Sequence, residues 1–130
     1  MKTLLALLIS IVILIPVSLA AHHAFAAEFD RAKPVKVQGS VVKVEWTNPH
    51  IWIYLDAKDE KGAIAHWQCE GGSPNTLTRQ GWTKESLKQG DQVTIDGYRA
   101  KDGSNVCNSS SVTLAGGKKL FAGSSAEGQQ

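Results

Sequence analysis

The chain predicts an all-β domain with one short helix, arranged as an OB-like, five-stranded, partly open barrel. Three observations lead there. From Pro34 onward apolar and polar residues alternate in short runs, the period-two signature of half-buried strands. Glycine, proline, asparagine and aspartate punctuate those runs where turns belong. A single helix-like bracket, Ser73-Pro74 closed by Gly81, interrupts the strands after the third. A small antiparallel sandwich or roll is the alternative that satisfies the same pattern.

The first strand begins at Pro34. Val35 and Val37 alternate with Lys36 and Gln38, Gly39-Ser40 intervenes, and Val42, Val44 and Trp46 resume with the opposite parity. A parity change at a glycine is what a β-bulge produces, so this strand is long and bent. Thr47-Asn48-Pro49 supplies turn chemistry. The second strand, His50 to Asp56, places Ile51, Ile53 and Leu55 on one face and His50, Trp52 and Tyr54 on the other. Lys58 to Gly62 is a polar hairpin loop. The third strand, Ala63 to Glu70, has two competing parities, one set by Ile64 and one by Trp67 and Cys69.

After Gly71-Gly72, Ser73 is an N-cap and Pro74 occupies the first helical position; the helix runs to about Gln80, with Gly81 as its left-handed stop. Thr83 to Gln89, stopped by Gly90, repeats this on a smaller scale. Asp91 to Arg99 is the fourth strand, with Val93 and Ile95 inward. Lys101-Asp102-Gly103 turns the chain into a fifth strand, Asn105 to Leu114, with Val106, Val112 and Leu114 on one parity. Gly116-Gly117 leads to a last short strand at Lys118 to Phe121. Strand, strand, strand, helix, strand, strand is the order of the OB-fold.

Upstream of the domain, Lys2 precedes an apolar run from Leu4 to Ile15, then Pro16 and the small residues Ser18, Ala20 and Ala21. A charged tip, a short apolar core and an A-x-A-like site make a secretory leader. The densest apolar stretch falls short of the roughly 20 residues of a membrane span, and no cysteine offers a lipid anchor at the cut. The expected organisation is therefore a signal peptide at 1–20, an arm at 21–33, the barrel at 34–122 and a disordered tail at 123–130. The expected compartment is a bacterial periplasm, with no stable membrane span after cleavage.

The 130-residue chain carries a formal net charge of +2 with acids and bases interspersed, which lacks the basic stripe of a nucleic-acid binder. Cys69 and Cys107 are the two cysteines. An even count in an oxidising compartment points to a disulfide, with two separate buried thiols as the alternative. The C-x-x-C spacing of redox pairs and thiolate metal sites is missing. In an OB-like barrel the third and fifth strands are neighbours, so topology and bridge support each other.

The blocks AHHAFAAEFD, KVEWTNPHIWIYLD, SPNTLTRQGWT and YRAKDGSN together resemble a group of small secreted bacterial proteins classed as a domain of unknown function, DUF 6152. The resemblance runs from about His22 to Ser125. It implies export and a small β-barrel-like domain, and it implies no established activity. The matching positions are His22, His23, Phe25, Glu45, Trp46, Asn48, Pro49, His50, Trp52, Trp67, Glu70, Ser73, Pro74, Asn75, Gly81 and Trp82. The chain departs from the family's pattern at Cys69 and Cys107, which marks the bridge as a local stabilising device.

Three constellations are candidates for function. The first is His22-His23. Cleavage after Ala20 leaves a free Ala21 amine, two deprotonable amides and the His23 imidazole, a square-planar nitrogen set that suits Cu(II) or Ni(II), with Cu(II) the stronger. Cleavage after Ala21 leaves the His22 amine and imidazole as a chelate that His50 or His66 completes. Ser18, the third residue before the cut that follows Ala20, favours the first version. The second constellation, Glu45 to Trp52, gives Trp46, Asn48, Trp52 and Tyr54 as a surface for a protein partner or a small organic ligand, since exposed aromatics on an OB sheet are stacking platforms. The third is Trp67, Glu70, Asn75 and Trp82. Glu70 either caps the helix start or orients His50 as a carboxylate behind a metal-binding imidazole. Trp82 is expected to pack at the barrel's bottom with its indole N–H satisfied. No nucleophile elbow, zincin motif or phosphate loop occurs, so the expectation is a binding protein with Cu(II) as its one candidate cofactor.

Overall fold

The computed structural model describes residues 25–123. In chain order the elements are strands β1 (Phe29–Glu45), β2 (Trp52–Lys58) and β3 (Ile64–Glu70), the short helix α1 (Pro74–Arg79), and strands β4 (Gln92–Ala100), β5 (Val106–Leu114) and β6 (Lys119–Phe121). The strands form a single sheet in the order β3-β2-β1-β4-β5-β6, and a further β3–β5 pairing closes it into a ring. All pairings are antiparallel except β3–β5, which is parallel. The all-β reading with one short helix holds. The third and fifth strands are neighbours, and a sixth short strand extends the sheet beyond β5. Among the described residues no helix is long and apolar enough to cross a membrane. The expected leader, His22, His23 and the tail beyond Gly123 lie outside the described residues.

The core fills the ring with alternate residues of each strand. Val37 and Val41 of β1, Ile53 and Leu55 of β2, Ile95 of β4 and Val112 of β5 are buried, and Ile51 joins them from the turn before β2. Leu77 of α1, Trp82 and Leu87 close one end. Ser73 caps α1 by accepting from the Thr76 amide at 3.2 Å, with Pro74 in the first turn. Gly81 follows with φ +91°, as the stop signal required.

Several expectations are corrected. β1 begins at Phe29 rather than Pro34, so residues 29–33 of the expected arm belong to the sheet. Phe29 is buried and pairs with Ala100, and the ladder shifts register between Phe29 and Pro34, an irregular stretch that tolerates a proline without a donor. The bulge lies at Val42, between Val41 and Lys43, and not at Gly39-Ser40. Val41 is 1% exposed and Val42 42%, the reverse of the expected parity. Gly39 serves a different need: a Cβ there would stand 2.4 Å from the Asp56 carbonyl oxygen, where β1 crosses β2.

The parity of β3 is settled by its partner. Trp67 opposes Leu55 and Cys69 opposes Ile53, so both face inward and Ile64 is exposed. In β5, the register moves from Asp96–Ser111 to Gly97–Ser109 and leaves Ser110 as an extra residue. Cys107 and Ser109 therefore share the interior with Val112, and Val106 does not. Thr83 to Gln89 forms turns held by the Thr83, Ser86 and Asp91 side chains rather than a second helix. Cys69 and Cys107 are opposite each other in the β3–β5 ladder and form a disulfide.

Candidate functional site

A row of outward-facing side chains crosses the sheet where the ring closes. Glu45 of β1 opposes Trp52 of β2, Trp52 opposes Glu70 of β3, Glu70 opposes Asn108 of β5, and Asn108 opposes Tyr98 of β4. Directly opposed residues share a face, and Ile51, Ile53, Cys69 and Cys107 beside them point into the core. His50, two positions before Trp52, comes from the Thr47-Asn48-Pro49 turn, whose Asn48–Pro49 bond is cis. Backbone bonds between Ile51 and both Gly71 and Gly72 hold this turn against the end of β3.

The centre of the row is the contact between His50 Nδ1 and the Glu70 carboxylate. Glu70 is buried, although it is on the outer face, and the His50 side chain is 38% exposed. Burial pushes the Glu70 carboxyl above the ordinary glutamate range; His50 and the side-chain amide of Asn108 oppose that rise, and Glu28 adds to it. Asn108 is itself buried, with its Oδ1 lacking any hydrogen-bond partner. With Nδ1 committed to Glu70, Nε2 is the ring nitrogen available to a ligand. Of the two readings of Glu70, the orienting one matches this geometry. Helix α1 is capped by Ser73 and has no acidic residue in its first turn.

The described start of the chain runs over the same face. The Phe25 ring meets the Tyr98 ring edge-on at 5.9 Å and leans on Phe29 at 5.6 Å. Arg31 sits over Phe25 at 5.0 Å. The Lys101 amide donates to the Glu28 carbonyl, and the Lys101 ammonium donates to the Ala26 carbonyl. These contacts tie residues 25–28 to the β4–β5 side of the row.

The remaining candidate residues separate. Tyr54 shares the outer face, but its hydroxyl donates to Glu45 at 3.0 Å and Lys43 stands 5.4 Å over its ring. Hydrogen bonds from Lys43 and then Tyr54 hold the Glu45 carboxyl below its usual range; burial and then Glu45 raise the Tyr54 hydroxyl. Trp46 packs against Trp82 at 6.5 Å, and the buried Trp82 donates its indole N–H to the Phe121 carbonyl at 2.6 Å. Asn48 and Asn75 are exposed, on the turn and on α1. Trp67 is on the inner face, away from His50. His66 pairs with Asp56 at 2.6 Å, further along the β2–β3 hairpin.

Sequence reading missed Asn108 and Tyr98. Asn108 follows Cys107, so a Cys69–Cys107 bridge in a parallel pair sets it beside Glu70; the signal was present in the register. Among the described residues no three histidine, cysteine, aspartate or glutamate side chains gather as a metal-holding group. The row therefore supplies one imidazole with its carboxylate.

None of the curated proteins matches the chain. A family model does match, over residues 11–109, a span that holds β1 to β4, α1, His50, Glu70 and Asn108. The chain belongs to the family of unknown function DUF6152.

Proposed function

We propose that the protein is an exported, non-enzymatic module of the periplasm that holds Cu(II) between its processed amino terminus and the face bearing His50. The observation that carries this reading is the His50–Glu70 contact. A carboxylate on the far nitrogen of a ligating histidine fixes ring orientation and tautomer and raises ligand basicity. Glu70 contacts Nδ1, which would leave Nε2 as the nitrogen for a metal ion.

The anchoring of Phe25 on Tyr98 supports a shared site. His23 precedes Phe25 by two residues, a backbone reach of about 7 Å. After a cut at Ala20, the Ala21 amine, two amide nitrogens and His23 make a square-planar set to which His50 adds a further nitrogen. After a cut at Ala21, the His22 amine and imidazole chelate, and His23 and His50 fill the set. Both arrangements favour Cu(II) among divalent first-row ions.

The test is a Cu(II) titration of the mature protein with its authentic amino terminus. Extending that terminus by one residue, or replacing His22 and His23 with alanine, is expected to weaken binding strongly. Unchanged affinity in both variants overturns the reading. His50→Ala reports separately on the face.

A second reading, capture of a partner protein or a small organic ligand on the outer aromatic face, is favoured by Trp52. It stands half-buried beside Glu70, while Trp46 and Tyr54 are engaged elsewhere. Trp52→Ala then removes partner capture with little loss of stability.

A further inference from the structure

The end of the ring away from α1 is open, and its inner wall carries one charge. β3 pairs with β5 only from Gln68 to Glu70. Before that point the strand is bordered by β2 alone, and a cavity of about 1150 Å³ opens to solvent, on the scale of small-ligand sites. Val35, Val37, Ala57, Ala65 and Trp67 line it from the inner faces of their strands. At the opposite end Leu77, Trp82 and Leu87 are buried. Here, among the described residues, no helix covers Val35 and Trp67, which stay half-buried at the edge of the core.

Arg99 opposes Cys107 and so also faces inward. Its guanidinium lies 5.1 Å from the centre of the Trp67 ring. Nε donates to the Ser104 carbonyl at 3.0 Å and Nη2 to the Asn105 side-chain oxygen at 2.8 Å. These partners are neutral, and among the described residues no carboxylate is within salt-bridge distance of Arg99. The cavity's other charged residues are the exposed Lys36, Lys58, Lys61, Asp59 and Glu60 and the half-buried Asp56; Lys36 pairs with Asp96 and Asp56 with His66. The guanidinium is half-buried beside Trp67, and Asp102 acts on it only from beyond contact distance, so an anion seated in the mouth would pair with it directly. Two of its five donors are committed, and the remainder matches a carboxylate.

We propose that this mouth binds a small aromatic carboxylate, with its anionic group on Arg99 and its flat body against Trp67 and Val35. Trp67 holds the guanidinium plane in place and offers the stacking surface, a dual role that aromatic–arginine pairs support. The site is separate from the His50 face and does not depend on copper.

The test compares naphthoate with its neutral and cationic counterparts, naphthylmethanol and naphthylmethylammonium, by NMR titration of the mature protein. Naphthoate is expected to bind about tenfold or more tightly than the alcohol, the effect of one charged hydrogen bond, and to shift the Trp67 indole signal. Arg99→Gln should remove that difference between naphthoate and the alcohol. Equal binding of all three probes, no binding of naphthoate, or shifts centred on Trp52 overturn the proposal. Should Arg99→Gln fail to fold, the comparison of probes on the unaltered protein, with Trp67→Leu as the second variant, still decides the matter.

Discussion

Glu70 and Asn108 stand opposite each other on parallel strands, one register position beyond the Cys69–Cys107 disulfide. The bridge therefore fixes the alignment of the two buried polar groups behind His50. Its cysteines are separated by 38 positions, a loop for which the chain-entropy model gives about 4 kcal/mol. Replacing both cysteines with alanine is expected to cost about that much in guanidinium unfolding. Amide exchange should rise first at Gln68 to Glu70 and Val106 to Asn108. Unchanged stability and exchange would mean the ladder holds without the bridge.

Glu70→Gln separates the carboxylate's positioning role from its structural one. Burial raises the Glu70 carboxyl in the folded state. The folded protein then binds more protons than the unfolded chain at pH values above the ordinary glutamate range. Its contribution to stability falls as pH rises through that window. The amide variant should lose this slope and be no less stable at neutral pH, while Cu(II) affinity falls about 10–100-fold, the usual effect of removing a carboxylate behind a ligating histidine. Unfolding curves across pH, paired with metal titration, check both halves.

Trp82 joins two distant parts of the chain through packing on Trp46 and its indole bond to Phe121. Trp82→Phe keeps most of the volume and strands the Phe121 carbonyl, a loss of about 1–3 kcal/mol. Trp82→Ala adds a cavity and should cost about 3–5 kcal/mol. Thermal or denaturant unfolding distinguishes the two, and near-equal losses would show that packing contributes little.

Gly97 lies where β4 passes β5 at the Ser110 bulge. A Cβ there would meet the Asn108 carbonyl oxygen at 2.1 Å, and both strands are backbone at that point. Gly97→Ala is expected to destabilise by about 1–3 kcal/mol or more and to disturb Asn108. Gly116→Ala, which meets nothing within 4 Å, serves as the control and should stay within about 0.5 kcal/mol. Equal stability of the two variants would contradict the close approach.

The strand runs, the Ser73 cap and the outer placement of His50 and Trp52 were legible because they rest on local periodicity and turn chemistry. The bulge was misplaced because Gly39 signals both a parity change and a close strand crossing, and only the position of Asp56 separates the two. The Val106 parity failed for a similar reason: Ser110 is unremarkable in sequence, and its extra-residue role exists only against Gly97.

By itself, then, the sequence determined the all-β class, the helix position, the compatibility of Cys69 with Cys107 and the chemical types available for a site. Tertiary structure alone decided which of them meet. The parallel β3–β5 closure brings Glu70 to Asn108 across 38 positions of chain, turns Trp67 and Arg99 into one open mouth, and sends Trp46 to Trp82 instead of to Trp52. Side-chain periodicity assigns a residue to a face of its own strand. The neighbour on that face comes from the register of another strand, which is set by burial of the whole core.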